Sequence, residues 1–402
     1  MRSPVSRQSW YALDCLNFLV ASVQIGLGTF VAFYLASLGW SKESVGLALA
    51  SGQIFGVLGQ IPGGAIADAI TWKRGFAALG ILMSMGAALI FAVAPQVTLV
   101  FFAEILDSLT AAIVPLAIAA ISLGLVGQRA MSSRTGRNYR FAAAGIIFTA
   151  VAQGLIGSYV AKNAIFFVTA ALCVPALLAL SFIKPEEIDY CRARNAAAGE
   201  GSKAQAVRIL VRNRTLFYLV LCLMLFEFAD ASLLPLVSQN IGSSKVEASS
   251  LQITGLIVTA QLVVMFLAPW VGYLSEGYGR KPLLILGFGL ESIRSILFSI
   301  TTNYGFLLIG QLLGGLTNAI VEVLVIVILT DLTARTGRFN LAVGAVTMLI
   351  GIASSMSVAT SGFIFDKAGH TFIFLILAAI SAGATALASF LLPETKPAQY
   401  VD

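Results

Sequence analysis

Apolar runs long enough to cross a bilayer recur along almost the whole chain, broken by short stretches carrying Lys, Arg, Pro and Gly. Runs at 10–37, 44–70, 75–95, 97–125, 139–161, 164–183, 215–240, 248–275, 282–302, 304–330, 340–366 and 371–392 predict twelve transmembrane helices in two groups of six. Between the groups lies the longest polar stretch, 184–214, with Glu186, Glu187, Asp189, Arg192, Arg194, Lys203, Arg208, Arg212 and Arg214 around a small-residue core, Ala-Ala-Ala-Gly-Glu-Gly-Ser. Such a composition suits a flexible linker. The expected architecture is an all-α membrane protein: an N-terminal six-helix bundle (1–183), a cytoplasmic linker (184–214) and a C-terminal six-helix bundle (215–402).

Composition sharpens this. Of 402 residues, 58% are hydrophobic and 11% charged, with a mean hydropathy of +0.91, which excludes a water-soluble globule of this length. The net charge of +6 sits in short loops rather than in a basic stripe, so it fits a membrane surface and its lipids and disfavours nucleic acid. Cys15, Cys173, Cys191 and Cys222 lack metal-ligand spacing and His370 is the only histidine, so no disulfide framework, metal or cofactor is expected. The same poverty in histidine, with no H-E-x-x-H and no G-x-S-x-G, argues against an enzyme. Arg2 and Arg7 precede a long apolar stretch without a small-residue cleavage site, which reads as a retained first span.

Orientation follows from the basic residues, which stay on the cytoplasmic side of short loops. With the N-terminus cytoplasmic, one side carries Arg2, Arg7, Lys73, Arg74, Arg129, Arg134, Arg137, Arg140, the basic residues of the linker, Arg280, Lys281, Arg335, Arg338 and Lys396; the other keeps Lys42, Lys162, Lys245 and Lys367. Both termini are therefore expected in the cytoplasm, and the protein in the inner (cytoplasmic) cell membrane, as a monomer.

The halves resemble each other at an offset of about two hundred residues, the mark of an internal repeat. Leu109-Thr110-Ala111-Ala112-Ile113-Val114 matches Leu316-Thr317-Asn318-Ala319-Ile320-Val321; Arg134-Thr135-Gly136-Arg137 matches Arg335-Thr336-Gly337-Arg338; and Lys184-Pro185-Glu186 matches Leu392-Pro393-Glu394. After spans 2 and 8 the chain reads Gly64-Ala65-Ile66-Ala67-Asp68-Ala69-Ile70-Thr71-Trp72-Lys73-Arg74 and Gly272-Tyr273-Leu274-Ser275-Glu276-Gly277-Tyr278-Gly279-Arg280-Lys281. Both loops resemble the G-x-L-a-D-r-x-G-r-k signature of the major facilitator superfamily, with Thr71 and Trp72 replacing Gly and Arg in the first copy and Glu276 replacing Asp in the second. The resemblance implies that these loops help hold the halves together, which makes Gly64, Asp68, Lys73, Arg74, Gly272, Glu276, Gly279, Arg280 and Lys281 gating candidates.

Ionisable groups inside a membrane are functional candidates because they are costly there. Asp14 lies in span 1, Glu104 and Asp107 in span 4, Glu227 and Asp230 in span 7 and Glu322 in span 10, while Glu291 has Arg294 one turn away. The resemblance implies that spans 1, 4, 7 and 10 line a central cavity. Glu104/Asp107 and Glu227/Asp230 are i, i+3 pairs on one helix face. Carboxyls that close resist double ionisation, so one member can carry a proton, or the pair can attract a cation. Glu227, about 12 residues into its span, is the first candidate for proton carrier and Asp230 the second. Asn17, Gln24, Gln311 and Asn318 supply further polar groups, and matching the halves sets Gln24 against Glu227 and Gln311 against Glu104.

Two family patterns are altered. Span 4 reads Glu104-Ile105-Leu106-Asp107-Ser108 where many proton-driven members carry an arginine, and span 5 keeps only the outer glycines, Gly145 and Gly154, of the antiporter signature. The expected function is secondary transport by alternating access: proton-coupled efflux of a small amphipathic or cationic organic solute. The alternatives are a proton-coupled carrier of a specific metabolite or siderophore-like anion and, outside transport, a membrane-embedded receptor or structural protein.

Overall fold

The computed structural model describes residues 5–40, 42–159, 163–196, 213–242 and 246–395. Lys162, Lys245, the linker core with Lys203, Arg208 and Arg212, and both chain ends with Arg2 and Lys396 lie outside the described residues.

The described residues are almost wholly helical. The first half forms α1 (Arg7–Ser37), α2 (Lys42–Ala69), α3 (Lys73–Val93), α4 (Val97–Val126), α5 (Met131–Tyr159) and α6 (Ala164–Phe182), and the linker opens with the single turn α7 (Tyr190–Ala193). The second half forms α8 (Arg214–Asp230), α9 (Leu233–Gly242), α10 (Val246–Tyr278), α11 (Lys281–Ile300), α12 (Tyr304–Leu332), α13 (Phe339–Ala368) and α14 (His370–Leu391). Among the described residues, nine segments are individually long and apolar enough to cross a membrane, α8 and α9 counting as one. With α1, α2 and α5, of 31, 28 and 29 residues, they complete the twelve long helical stretches.

One expected span is not a single helix. The run 215–240 breaks at Ala231 and Ser232 into α8 and α9. Pro235 sits in the first turn of α9, where it lacks the N–H that would bond to the carbonyl four residues earlier, that of Ala231, and its ring crowds that carbonyl, which favours the break. At the break, Ser357 of α13 donates to the Phe228 carbonyl at 2.5 Å and shares a hydrogen bond of 3.0 Å with the Ser232 hydroxyl. The helix thus ends directly after Glu227 and Asp230.

The chain forms two compact units, each of which takes in a piece of the other half of the sequence. Unit 1 joins Met1–Met131 and Phe141–Glu200 with Ala334–Ala345; unit 2 joins Gly201–Thr333 and Val346–Asp402 with Ser132–Arg140. In unit 1, α2 and α3 pack on α4, and α6 on α1 and α3; in unit 2, α10 and α11 pack on α12, and α14 on α8 and α11. The two sets are the same four pairings. A shared bond marks the repeat at side-chain level: the Thr110 hydroxyl donates to Gly80 O at 2.9 Å, and the matched Thr317 hydroxyl to Gly287 O at 3.4 Å.

Each unit has its own apolar centre. Leu27, Val31, Tyr34, Phe91 and Phe166 lead that of unit 1, and Leu236, Leu256, Phe298, Leu307 and Phe374 that of unit 2. Many apolar side chains elsewhere point outward, including Phe55, Phe102, Trp270 and Phe390, as lipid-facing helices require. The linker begins as an ordered attachment. Glu187 accepts from the Ser6 N–H and hydroxyl, both at 3.1 Å, and the Lys184 N–H donates to Ser9 Oγ at 3.1 Å. Burial pushes the Glu187 carboxyl up, but the bonds from Ser6 and Ser9, with Lys184 nearby, outweigh it and hold the group below its ordinary value.

Candidate functional site

A dense group of ionisable side chains lies in unit 2, around Arg294. This arginine, 3% exposed on α11, places Nη1 at 3.2 Å from Glu291 Oε1 and 2.5 Å from Asp230 Oδ1, and Nη2 at 3.4 Å from Gln311 Oε1. The spacing predicts Glu291–Arg294 as a link within one helix; Asp230 and Gln311 join α11 to α8 and α12. Phe298, one turn along, presents its ring 5.5 Å from the guanidinium carbon. Gly314 of α12 leaves the space the guanidinium fills, since a Cβ there would stand 2.6 Å from Arg294 Cζ.

Two further carboxyls adjoin this group. Glu227, one turn before Asp230, lies within electrostatic reach of Asp230, Glu291 and Glu322 and is hydrogen-bonded by the Ser354 hydroxyl of α13. Glu322 is exposed on α12 and also interacts with Asp230. The structure therefore brings Asp230, Glu291 and Gln311 onto a single cation, with Glu227 and Glu322 within electrostatic reach of Asp230.

The acids of span 4 are arranged differently. Glu104, 8% exposed, faces α2, where Gly52 leaves room for it: a Cβ on Gly52 would stand 3.0 Å from Glu104 Oε2. Asp107 faces α3 and accepts from the Ser84 hydroxyl at 3.1 Å. The pair still interacts electrostatically, but its members address different neighbouring helices. Gln24 and Ser84 line a small, mostly apolar pocket with Val20, Val23, Ile81, Thr110, Val114 and Ala176. Asp14 is buried on α1, Asn17 donates to the Leu13 carbonyl at 2.7 Å, and Asn318 is half-buried on α12. Gln311, 2% exposed, faces Arg294.

The gating candidates form two matched contacts. In unit 1, Asp68 near the end of α2 accepts from the N–H groups of Asn340 (3.2 Å) and Leu341 (2.9 Å) and from Asn340 Nδ2 (2.8 Å). The carboxylate thus caps the first turn of α13, where free N–H groups and the helix dipole favour an anion. Gly64 permits the approach, because a Cβ there would overlap the Asn340 carbonyl. In unit 2, Glu276 accepts from the Ser132 hydroxyl at the start of α5, and a Cβ on Gly272 would overlap the Ser132 carbonyl.

The cations of these loops face inward to their own unit. Lys73, 1% exposed, donates to Ala67 O, and Arg74 to Leu180 O at 3.2 Å and Ser181 O at 2.9 Å. Arg280, also 1% exposed, donates to Asp331 at 3.2 Å and to Ser275 O. The N–H groups of Arg280 and Lys281 donate to Glu394 at 2.9 and 3.2 Å, so Glu394 caps α11. Asp331, Asn340 and Glu394 were not among the sequence candidates. The repeat held a signal for Glu394, which falls in the same Pro-Glu pattern as Glu186.

Gly279, at φ +93°, completes the second loop, where a Cβ would stand 2.9 Å from Glu394 Cδ. In the first loop the corresponding position is Thr71, which is not among the residues of positive φ and so accommodates its side chain without that conformation. Gly279→Ala is therefore expected to destabilise the protein by about 1–2 kcal/mol from backbone strain alone, read as a lower thermal unfolding midpoint in detergent. An unchanged midpoint would refute that role for the glycine.

Comparison with known proteins fits this architecture. The sequence profile of the Major Facilitator Superfamily matches residues 13–257 and 231–402. An uncharacterized MFS-type transporter of Mycobacterium tuberculosis, present in strains CDC 1551 / Oshkosh and ATCC 25618 / H37Rv, is 31% identical over 388 residues, covering 96% of this chain and 93% of its own. Among solved structures, the MFS transporter FucP in its outward conformation superposes with a TM-score of 0.79 at 14% identity, over 96% of this chain and 99% of that one. A variant of the E. coli fucose:proton symporter FucP gives 0.74 at 16%, over 94% and 98%. At these identities the likeness to FucP is one of fold. The profile match across nearly the whole sequence, together with the twelve-helix repeat, shows that this chain is a multi-pass membrane transporter of the major facilitator superfamily.

Proposed function

We propose that the protein is a proton-coupled secondary transporter of the cell membrane, with both termini in the cytoplasm, which exports a small amphipathic or cationic organic solute by alternating access. The observation that carries this reading is the charge count about Arg294. Four carboxyls, Glu227, Asp230, Glu291 and Glu322, form one electrostatically linked cluster that holds a single guanidinium, and two of them, Asp230 and Glu291, share its Nη1. An uncompensated carboxylate in a poorly solvated site is costly. Glu227, half-buried among these acids, is therefore the first group whose charge a proton or a cationic solute balances, with Glu322, exposed on α12, open to the solute beside it, and exchange of one for the other is the chemistry of an antiporter. Asp230, held by Arg294, serves as counter-ion rather than as carrier.

Export fits a cationic solute on energetic grounds. A potential negative inside draws cations inward with about 2.3 kcal/mol per charge for each 100 mV, so removing them needs a driving ion. The reading in which an anionic metabolite binds Arg294 is weaker, because that cation is engaged by Glu291 and Asp230.

The test is accumulation of a fluorescent lipophilic cation in cells expressing the protein, with and without a protonophore. Wild type should lower accumulation, and both the protonophore and Glu227→Gln should restore it. Equal accumulation with and without the protein would overturn the reading, as would a Glu227→Gln variant that keeps wild-type pH dependence.

A further inference from the structure

Arg294 stands where it does because α12 leaves it a place. Gly314 lies flat against the guanidinium, with its absent Cβ 2.6 Å from Cζ, 2.8 Å from Nε and 2.9 Å from Nη1. One turn earlier on the same helix, Gln311 receives Nη2 at 3.4 Å. A glycine and an amide thus form one wall, and Glu291 and Asp230 lie at Nη1. The repeat shows that this wall belongs to the second half. Gln311 matches Glu104, so Gly314 falls on the position of Asp107, which carries a side chain and meets the Ser84 hydroxyl instead of a guanidinium.

We infer that Gly314 and Gln311 are positioning residues: they hold Arg294 against Asp230 and Glu291, and so determine which carboxyls of the cluster are left to exchange protons. The inference rests on the proposed coupling role of that cluster. Arg294 compensates the carboxyls it touches and leaves the others bare. A displacement of several tenths of an ångström, the least that a Cβ at Gly314 demands, loosens a contact of 2.5 Å to Asp230 and returns an uncompensated acid to the group. The ionisable groups facing this point are Glu227 and Asp230 on α8, Glu291 on α11 and Glu322 on α12, with Tyr139 of the Ser132–Arg140 segment near Glu322. From α13 comes the Ser354 hydroxyl, and α14 carries one ionisable group, His370, at its first residue beside Phe374.

The experiment measures the pH midpoint of protonophore-sensitive extrusion of the lipophilic cation for wild type, Gly314→Ala, Gln311→Leu, Arg294→Lys and Gly314→Ala/Arg294→Lys. Gly314→Ala should move the midpoint by about one pH unit, the scale on which a neighbouring charge acts, and Gln311→Leu should move it in the same direction. In the Arg294→Lys background, whose ammonium lacks the planar fork that meets Gly314, Gly314→Ala should add no further shift, a non-additivity that a merely structural glycine would not produce. Wild-type midpoints for both Gly314→Ala and Gln311→Leu, or full additivity in the double variant, would overturn the inference. If Gly314→Ala does not fold, the midpoint of Gln311→Leu decides alone. Glu227→Gln in the same series separates the two levels: unaltered pH dependence there removes the coupling reading itself, whereas altered dependence with unmoved α12 variants removes only the role of Gly314 and Gln311.

Discussion

Arg294→Leu is expected to lower the stability of the protein by about 3–5 kcal/mol, the usual cost of removing one partner from a buried ion pair. Glu291 is 0% exposed and Asp230 meets the same Nη1, so the substitution leaves one fully buried carboxyl and one partly buried carboxyl without their cation. Lost contact with the Phe298 ring adds to the effect. The accompanying variant identifies the cause. Arg294→Leu/Glu291→Leu removes both charges and substitutes apolar side chains, which is often neutral for buried pairs, so it should recover much of the loss. Thermal unfolding of purified protein in detergent checks both. A midpoint unchanged by Arg294→Leu would show that Glu291 is already neutral in the native protein, and a double variant as unstable as the single would trace the loss to packing rather than charge.

The reason this arginine was legible only in part is geometric. Spacing alone reveals Glu291 and Arg294 as neighbours one turn apart, because both are on one helix. Asp230 and Gln311 reach Arg294 from α8 and α12, and no period along the chain encodes that meeting. The same limit applied to Glu104 and Asp107: three residues apart they share a helix face, yet that face is wide enough for one to address Gly52 of α2 and the other Ser84 of α3. What repeated in the sequence was more readable. The Thr110 and Thr317 segments match, and their hydroxyls make the same bond to Gly80 and Gly287. The loops of Gly64 and Gly272 match, and both glycines admit a backbone from the other half of the sequence. The break after Asp230 had a signal in Pro235, which a continuous apolar run concealed. Asp331 and Glu394 stood outside the candidate set because an acid at a helix end resembles ordinary surface polarity until its partner, here Arg280, is found buried beside it.

Asp68→Ala is expected to speed exchange of the Asn340 and Leu341 amide hydrogens by about tenfold or more, the equivalent of the roughly 1.5–3 kcal/mol assigned to hydrogen bonds with a charged acceptor. Both amides donate to this carboxylate in unit 1, and Asn340 Nδ2, shared between Asp68 Oδ1 and Ala193 O, is the third bond it receives. They lie in the first turn of α13, which has no carbonyl of its own helix to offer them. Asp68→Asn keeps one oxygen acceptor but removes the charge and turns an amide donor toward donors, so an intermediate rate is expected. Gly64→Ala should accelerate the same two amides by another route, since its Cβ would overlap the Asn340 carbonyl and stand 2.9 Å from Leu341 Cα. Glu276→Ala, which loosens the matched contact at Ser132 in unit 2, supplies the control and should leave Asn340 and Leu341 unchanged. If the exchange of these amides is indifferent to both Asp68→Ala and Gly64→Ala, then docking of Ala334–Ala345 on unit 1 depends on the neighbouring backbone bonds from Gly337 to Asn195 and from Phe339 to Arg194, and the acidic residue of the first loop is not its latch.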